Sequence, residues 1–185
     1  MATNTWTGGT STVWNNAANW SQSNWPGDTG FEDDDVVIPD TSSLSYRPEV
    51  SLDVTINSLK VEADGELAGN TSYSITVAGE AAAYAVDLDG VIGTDLNIII
   101  TTPEGTALDL LPSAGSIRNL TINDASCTAV LYTACTINNN LTITLGEFST
   151  GSDHALTVAG ATSIGDGGAG GANRATLECN ASAIS

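Results

Sequence analysis

One histidine, three cysteines and 22 acidic residues against four basic ones set the chemistry open to this 185-residue chain. His154 stands in the turn Gly151-Ser152-Asp153-His154, and no second histidine exists to make a histidine-pair metal site. We read it as a solvated turn residue. Cys127, Cys135 and Cys179 are odd in number and match no zinc spacing. The first two lie among Thr, Ala and Val, as small buried hydrophobes do. Acid pairs are the other route to chemistry, since polysaccharide hydrolysis uses two carboxylates. Asp87 and Asp89 would share one face of a strand, but so acidic a chain makes some close pair unavoidable, and acids also guard strand edges. Lyase chemistry wants a basic group, and only Lys60 and Arg118 fall among the repeating strands. Asp33-Asp34-Asp35 could hold calcium, yet its spacing fits no EF-hand, and the Gly165–Gly171 stretch lacks the full calcium-binding nonapeptide. The acidic run reads as a solvated loop. We therefore expect no catalytic residue, no cofactor and no metal.

All four tryptophans, Trp6, Trp14, Trp20 and Trp25, lie in the first 25 residues. They could form a sugar-stacking platform. The reading we prefer is the core of a cap, because this segment is poor in other large apolar residues. The net charge of −18 disfavours nucleic acid, whose phosphates need a basic surface, and an anionic membrane for the same reason. Its ordinary consequence is solubility.

The elements that must position these residues announce themselves by repetition. Leu59 to Gly79 (LKVEADGELAGNTSYSITVAG) aligns with Leu141 to Gly160 (LTITLGEFSTGSDHALTVAG). Self-similarity at this scale marks a solenoid. Short apolar strands with period-2 alternation recur at Val54-Thr55-Ile56, Leu59-Lys60-Val61, Ile75-Thr76-Val77, Leu96-Asn97-Ile98, Leu120-Thr121-Ile122, Leu141-Thr142-Ile143 and Leu156-Thr157-Val158. Taking Ile75, Leu96, Leu120, Leu141, Leu156 and Leu177 as equivalent gives steps of 21, 24, 21, 15 and 21 residues. The odd 24 and 15 imply insertions or a different strand within the rung. Val36-Val37-Ile38, apolar throughout, suits burial on both faces. Asp64-Gly65, Asp89-Gly90 and Asn138-Asn139-Asn140 are assigned to turns that need positive φ.

The expected fold is all-β: a right-handed parallel β-helix of about 21 residues per rung, with an irregular Trp-rich N-terminal cap. An antiparallel sandwich is the competing all-β reading, and the repeat argues against it. We divide the chain into a cap or attachment segment, residues 1–50, and β-helix rungs, residues 51–185. Gly165–Gly171 would bulge from the rod, and Ala175–Ser185 reads as the start of another rung. Outward threonines would suit an ice-binding array, but outward residues vary (Lys60, Asn97, Thr121, Thr142), so no flat array is expected.

Trp6-Thr7-Gly8, Trp14-Asn15, Ala18-Asn19-Trp20-Ser21, Pro26 and Asp34-Asp35-Val36-Val37-Ile38-Pro39 resemble the opening of many parallel β-helix proteins. Those head bacterial surface proteins and structural proteins of tailed bacteriophages. The resemblance implies a β-helix with an N-terminal cap and supplies no catalytic residues. The start MATNTWTGGTS has neither the basic nor the apolar region of a secretory signal, and no stretch approaches a membrane span. That favours the virion branch. The resulting expectation is a non-enzymatic virion surface protein, a capsid decoration or fibre, attached through the cap and forming a homo-oligomer. Its partners would be capsid or tail proteins and possible host-surface glycan, with no nucleic acid and no membrane. The alternatives are a secreted bacterial adhesin or surface-layer β-helix, extracellular or at the cell surface, and a tailspike-like polysaccharide-degrading enzyme.

Overall fold

The computed structural model describes residues 2–79, 85–102, 106–108, 116–165 and 175–179. The expected bulge at Gly165–Gly171 lies almost wholly outside the described residues. The strands follow one another in coils. The first turns of chain hold β1 (Thr3–Thr5) and β2 (Asp35–Ile38). Next come β3 (Val54–Ile56), β4 (Ser58–Val61) and β5 (Glu66–Leu67), then β6 (Ser74–Val77), β7 (Val86–Leu88) and β8 (Val91–Ile92). β9 (Asn97–Ile100), β10 (Thr106–Leu108), β11 (Asn119–Leu131) and β12 (Cys135–Ile137) follow. β13 (Leu141–Ser149), β14 (Leu156–Val158), β15 (Thr162–Ile164) and β16 (Ala175–Glu178) complete the order.

These strands stack on three faces, and every ladder among the described residues is parallel. The long face runs β3-β6-β9-β11-β13-β15. The cap face runs β1-β2-β4-β7, where β7 lies against β10, and continues through β10, the second halves of β11 and β13, and β16. The short face holds β5 with β8 and β12 with β14. The chain is thus an all-β parallel β-solenoid. On the long face the register partners Val54, Ile75, Ile98, Leu120, Leu141 and Thr162 stand 21 to 23 residues apart. Five such steps, at about 4.8 Å each, make a rod about 24 Å long on this face.

The stacking explains the burial. An isolated coil cannot cover its own inner face, so each inward aliphatic is sealed by its equivalents above and below. Ile56, Val77, Ile100, Ile122 and Ile143 form one such column, each fully buried. The columns and the tryptophans belong to one continuous hydrophobic cluster.

Several expectations change at this level. Ile75 pairs with Ile98, not with Leu96, which accounts for the uneven 21 and 24. Leu156 pairs with Cys135 on the short face and Leu177 with Phe148 on the cap face, so the step of 15 crosses from one face to another. Val37 is only half-buried between buried Val36 and Ile38, because the outer side of the cap face meets solvent. The repeated phrase is real, but its two copies do not stack. Leu59 opens the first copy on the cap face, and Leu141 opens the second on the long face. The same strand-turn-strand unit is used one face out of phase. The bend at its Gly-Glu pair, a turn in the first copy and an irregularity within β13 in the second, is set by crowding in both places. A Cβ on Gly65 would come within 2.7 Å of the Glu62 carbonyl oxygen and 2.9 Å of Ile38's. A Cβ on Gly146 would collide with the Asp124 carbonyl, and φ there is +92°. Asp64 does have positive φ (62°), whereas Asn138, Asn139 and Asn140 do not and hold their corner by other means.

Candidate functional site

The N-terminal cap grows from two polar anchors. Buried Asn19, at the end of a short 3₁₀ turn (Ala17–Asn19), accepts at Oδ1 from the Thr10 amide (2.9 Å), the Ser11 amide (3.1 Å) and the Thr10 hydroxyl (3.0 Å). Its Nδ2 donates to the Val13 carbonyl at 2.9 Å and Ser11 Oγ at 3.1 Å. Buried Asn4 donates to Asp34 Oδ2 and to the Asn24 carbonyl, each at 2.9 Å. Around these pack Trp6, Trp14 and Trp20, exposed by 1, 0 and 3%. Trp20 meets Trp6 and Trp14 edge-on, with ring centroids 5.0 and 4.8 Å away. Each indole N–H is satisfied: Trp6 donates to Tyr46 O (3.0 Å), Trp14 to Pro26 O (2.9 Å) and Trp20 to Trp14 O (2.7 Å). Three tryptophans are therefore cap core and offer no stacking platform; Trp25 is partly buried against the same cluster. The outside of the cap presents Tyr46, Arg47 and Thr12 around a hollow of about 340 Å³, with Val13 exposed nearby.

The acidic run is not a solvated loop. Only Asp33 is exposed; Asp34 is buried on Asn4, and Asp35 accepts from Asn57 Nδ2 (2.6 Å) and Ser58 Oγ (2.7 Å). The Asp35 carboxylate binds the cap to the first coil, and that of Asp34 ties β1 to the chain just before β2. Asp87 lies in β7 and faces Lys60 at 4.0 Å, while Asp89 follows the strand end and hydrogen-bonds through its backbone to Val61. His154 is half-buried after its turn, its amide bonded to the Thr150 carbonyl at 3.2 Å. Cys127 and Cys135 are buried in β11 and β12, as read from their neighbours, and Cys179 is half-buried. Burial alone pushes the Cys135 thiol up to about 12. Asp40 is held below its usual value by the Ser42 hydroxyl first and the Ser42 amide second. No group of three or more His, Cys, Asp or Glu could hold a metal ion among the described residues.

The feature missed in the sequence is a polar ladder at the entry to the long face. Asp53, Ser74, Asn97, Asn119 and Asn140 each precede the first inward aliphatic of their strand. Asp53 Oδ1 accepts from the Ser74 amide at 2.8 Å, and Asn119 Nδ2 donates to Asn97 Oδ1 at 2.7 Å. Asn119 Oδ1 accepts from Asn139 Nδ2 (2.9 Å) and from the Asn140 amide (3.1 Å); Asn140 Oδ1 accepts from the Ala161 amide (3.0 Å). Asn97 also donates to the Tyr73 carbonyl at 2.6 Å and to Asn70 O and Thr71 O at 3.3 Å, pinning the turn before β6. The recurring Asn before a strand was the available signal, visible in Asn119-Leu120-Thr121-Ile122 and Asn140-Leu141-Thr142-Ile143.

Beside this ladder runs a shallow groove of about 380 Å³, spanning β6, β9, β11 and β13. Its wall is the pinned turn at Thr71 and Ser72; its floor carries Ile99, Thr121 and Thr142. Here the expected irregularity of outward residues is corrected. Lys60 belongs to the cap face and Asn97 to the ladder, whereas Thr55, Thr76, Ile99, Thr121, Thr142 and Ser163 form a single outward column. Five of its six positions carry a hydroxyl, and Ile99 is the exception.

The class these features define is a three-faced parallel β-solenoid closed at its N-terminal end by a buried tryptophan cluster. Comparison with family models, curated proteins and solved structures found no match to this chain.

Proposed function

We propose that this protein is a non-enzymatic structural component of a tailed-phage virion surface, a capsid decoration or fibre, attached at its N-terminal end and working as a homo-oligomer. The observation that carries the reading is the contrast between inside and outside in the cap. Its interior is locked by three indoles and two buried asparagines, so the end is stiff, while Tyr46 and Val13, each 39% exposed, stand on its outside with Arg47, which pairs with Glu66 at 3.0 Å. A rigid end with exposed apolar groups on its surface suits docking on another protein. The resemblance of residues 6–39 to the openings of β-helix virion and surface proteins points the same way.

Immunogold microscopy with antibody to this chain tests the assignment. Regularly placed label on the head or tail of purified particles is the expected result. Label confined to a bacterial envelope would replace it with the adhesin reading, and sugar release from capsule by the purified chain would replace it with the enzyme reading.

A further inference from the structure

We propose that the groove on the long face binds a neutral polysaccharide strand lying along the solenoid axis. This goes beyond the reading above, since it concerns the side of the rod and not its attached end. Four observations lead there. The groove crosses four consecutive strands, so its chemistry repeats about every 4.8 Å along the axis, a step close to that of an extended sugar chain. Its floor runs from the half-buried methyls of Ile99 to the adjacent hydroxyls of Thr121 and Thr142, which matches a sugar chain's mix of apolar faces and hydroxyl rims. The wall is built in advance: Asn97, only 7% exposed, spends its amide on three carbonyls of the Asn70–Tyr73 turn, and the Arg118 guanidinium donates to Thr71 O at 3.3 Å. A site held this way loses little conformational freedom on binding. Finally, no charged side chain lines the groove, although the chain carries −18 overall. An anionic polymer would meet the field of the whole rod with only Arg118, already engaged on the wall, to offset it, so the ligand is neutral.

Affinity electrophoresis of the full chain in native gels containing dextran, mannan or β-glucan, with alginate as the acidic control, tests this. At least one neutral gel retards the protein, and added salt leaves the retardation unchanged. The double variant Thr121→Val/Thr142→Val keeps side-chain volume, removes two hydroxyls and weakens retardation by about tenfold or more. Thr136→Val, outward on the short face, leaves it unchanged. Migration unaffected by all three neutral gels, retention by alginate alone, or an equal loss in Thr136→Val would overturn the proposal. None of these outcomes bears on whether the cap docks on a particle, which the immunogold experiment decides separately.

Discussion

Ile143 and Ile164 occupy the same place in successive coils of the long face, paired in register, yet Ile143 is fully buried and Ile164 is 47% exposed. Nothing in the residue explains the difference; among the described residues a coil lies on both sides of Ile143 and on one side of Ile164. At the opposite end the first coil meets Trp6, Trp14 and Trp20, and its columns are closed. A repeat buries its neighbour and never itself, so closure needs residues that do not repeat: large rings to fill the last layer, and side-chain amides to satisfy an irregular backbone. The cap has both. Thr162, Ser163 and Ile164 at the other end are all exposed.

The comparison makes its largest prediction in the core. Trp14→Ala should lose about 3–5 kcal/mol, and Ile143→Ala about 2–5 kcal/mol, because each leaves a cavity in a fully covered layer. Ile164→Ala should stay within about 0.5 kcal/mol. Urea unfolding followed by circular dichroism measures all three, and a cost for Ile164→Ala close to that of Ile143→Ala would mean that Ile164 is covered in solution.

The ladder gives the next effect. Asn119→Ala removes the partners of Asn97 Oδ1, Asn139 Nδ2 and the Asn140 amide together, and should cost about 1–3 kcal/mol. Thr142→Val, outward on the adjacent strand, should cost less than about 0.5 kcal/mol. If the two variants unfold at the same urea midpoint, the ladder is not what holds that corner.

The cysteines supply the smallest effect and a direct probe of fraying. Cys179, half-buried just past β16, should react promptly with iodoacetamide, while Cys135 should react only on unfolding. The sign with pH follows from burial. The folded Cys135 thiol titrates at about 12, and an unfolded thiol near about 8.5, so above that lower value the unfolded state gains by ionising and the folded state does not. Stability is intact at neutral pH and falls by about 1 kcal/mol by about pH 9, an effect that Cys135→Ser abolishes. Labelling of Cys135 as fast as Cys179 in native buffer would show that the coil around Cys135 unravels under native conditions.

The strands were legible because inward and outward residues alternate within them, as in Val54-Thr55-Ile56 and Leu141-Thr142-Ile143. The tryptophans were legible as cap core because so few other large residues share their segment. What escaped were relations between coils. Asn97, Asn119 and Asn140 look like turn residues one at a time; their amides become a ladder only when the coils lie on top of one another. Asp34 and Asp35 look solvated because charge ordinarily seeks water, and the Asn4, Asn57 and Ser58 groups that hold them sit 22 to 30 residues away. Residues on the cap face and on the ladder, Lys60 and Asn97, were set beside Thr121 and Thr142, which hid the threonine column.

By itself the amino-acid sequence determined the all-β class, a coil of just over twenty residues, parallel stacking and a tryptophan-filled first segment. These rest on local patterns: alternation within a strand, composition within a stretch, recurrence along the chain. Only the tertiary structure decided which face each strand joins, that the two copies of the repeated phrase lie one face out of phase, and that a groove with an uncharged lining crosses a rod of charge −18. A coil may gain or lose a residue at a corner without harming its strands, so spacing along the chain does not fix phase around the axis. Phase is settled by the carbonyls and aliphatic side chains of the coil beneath.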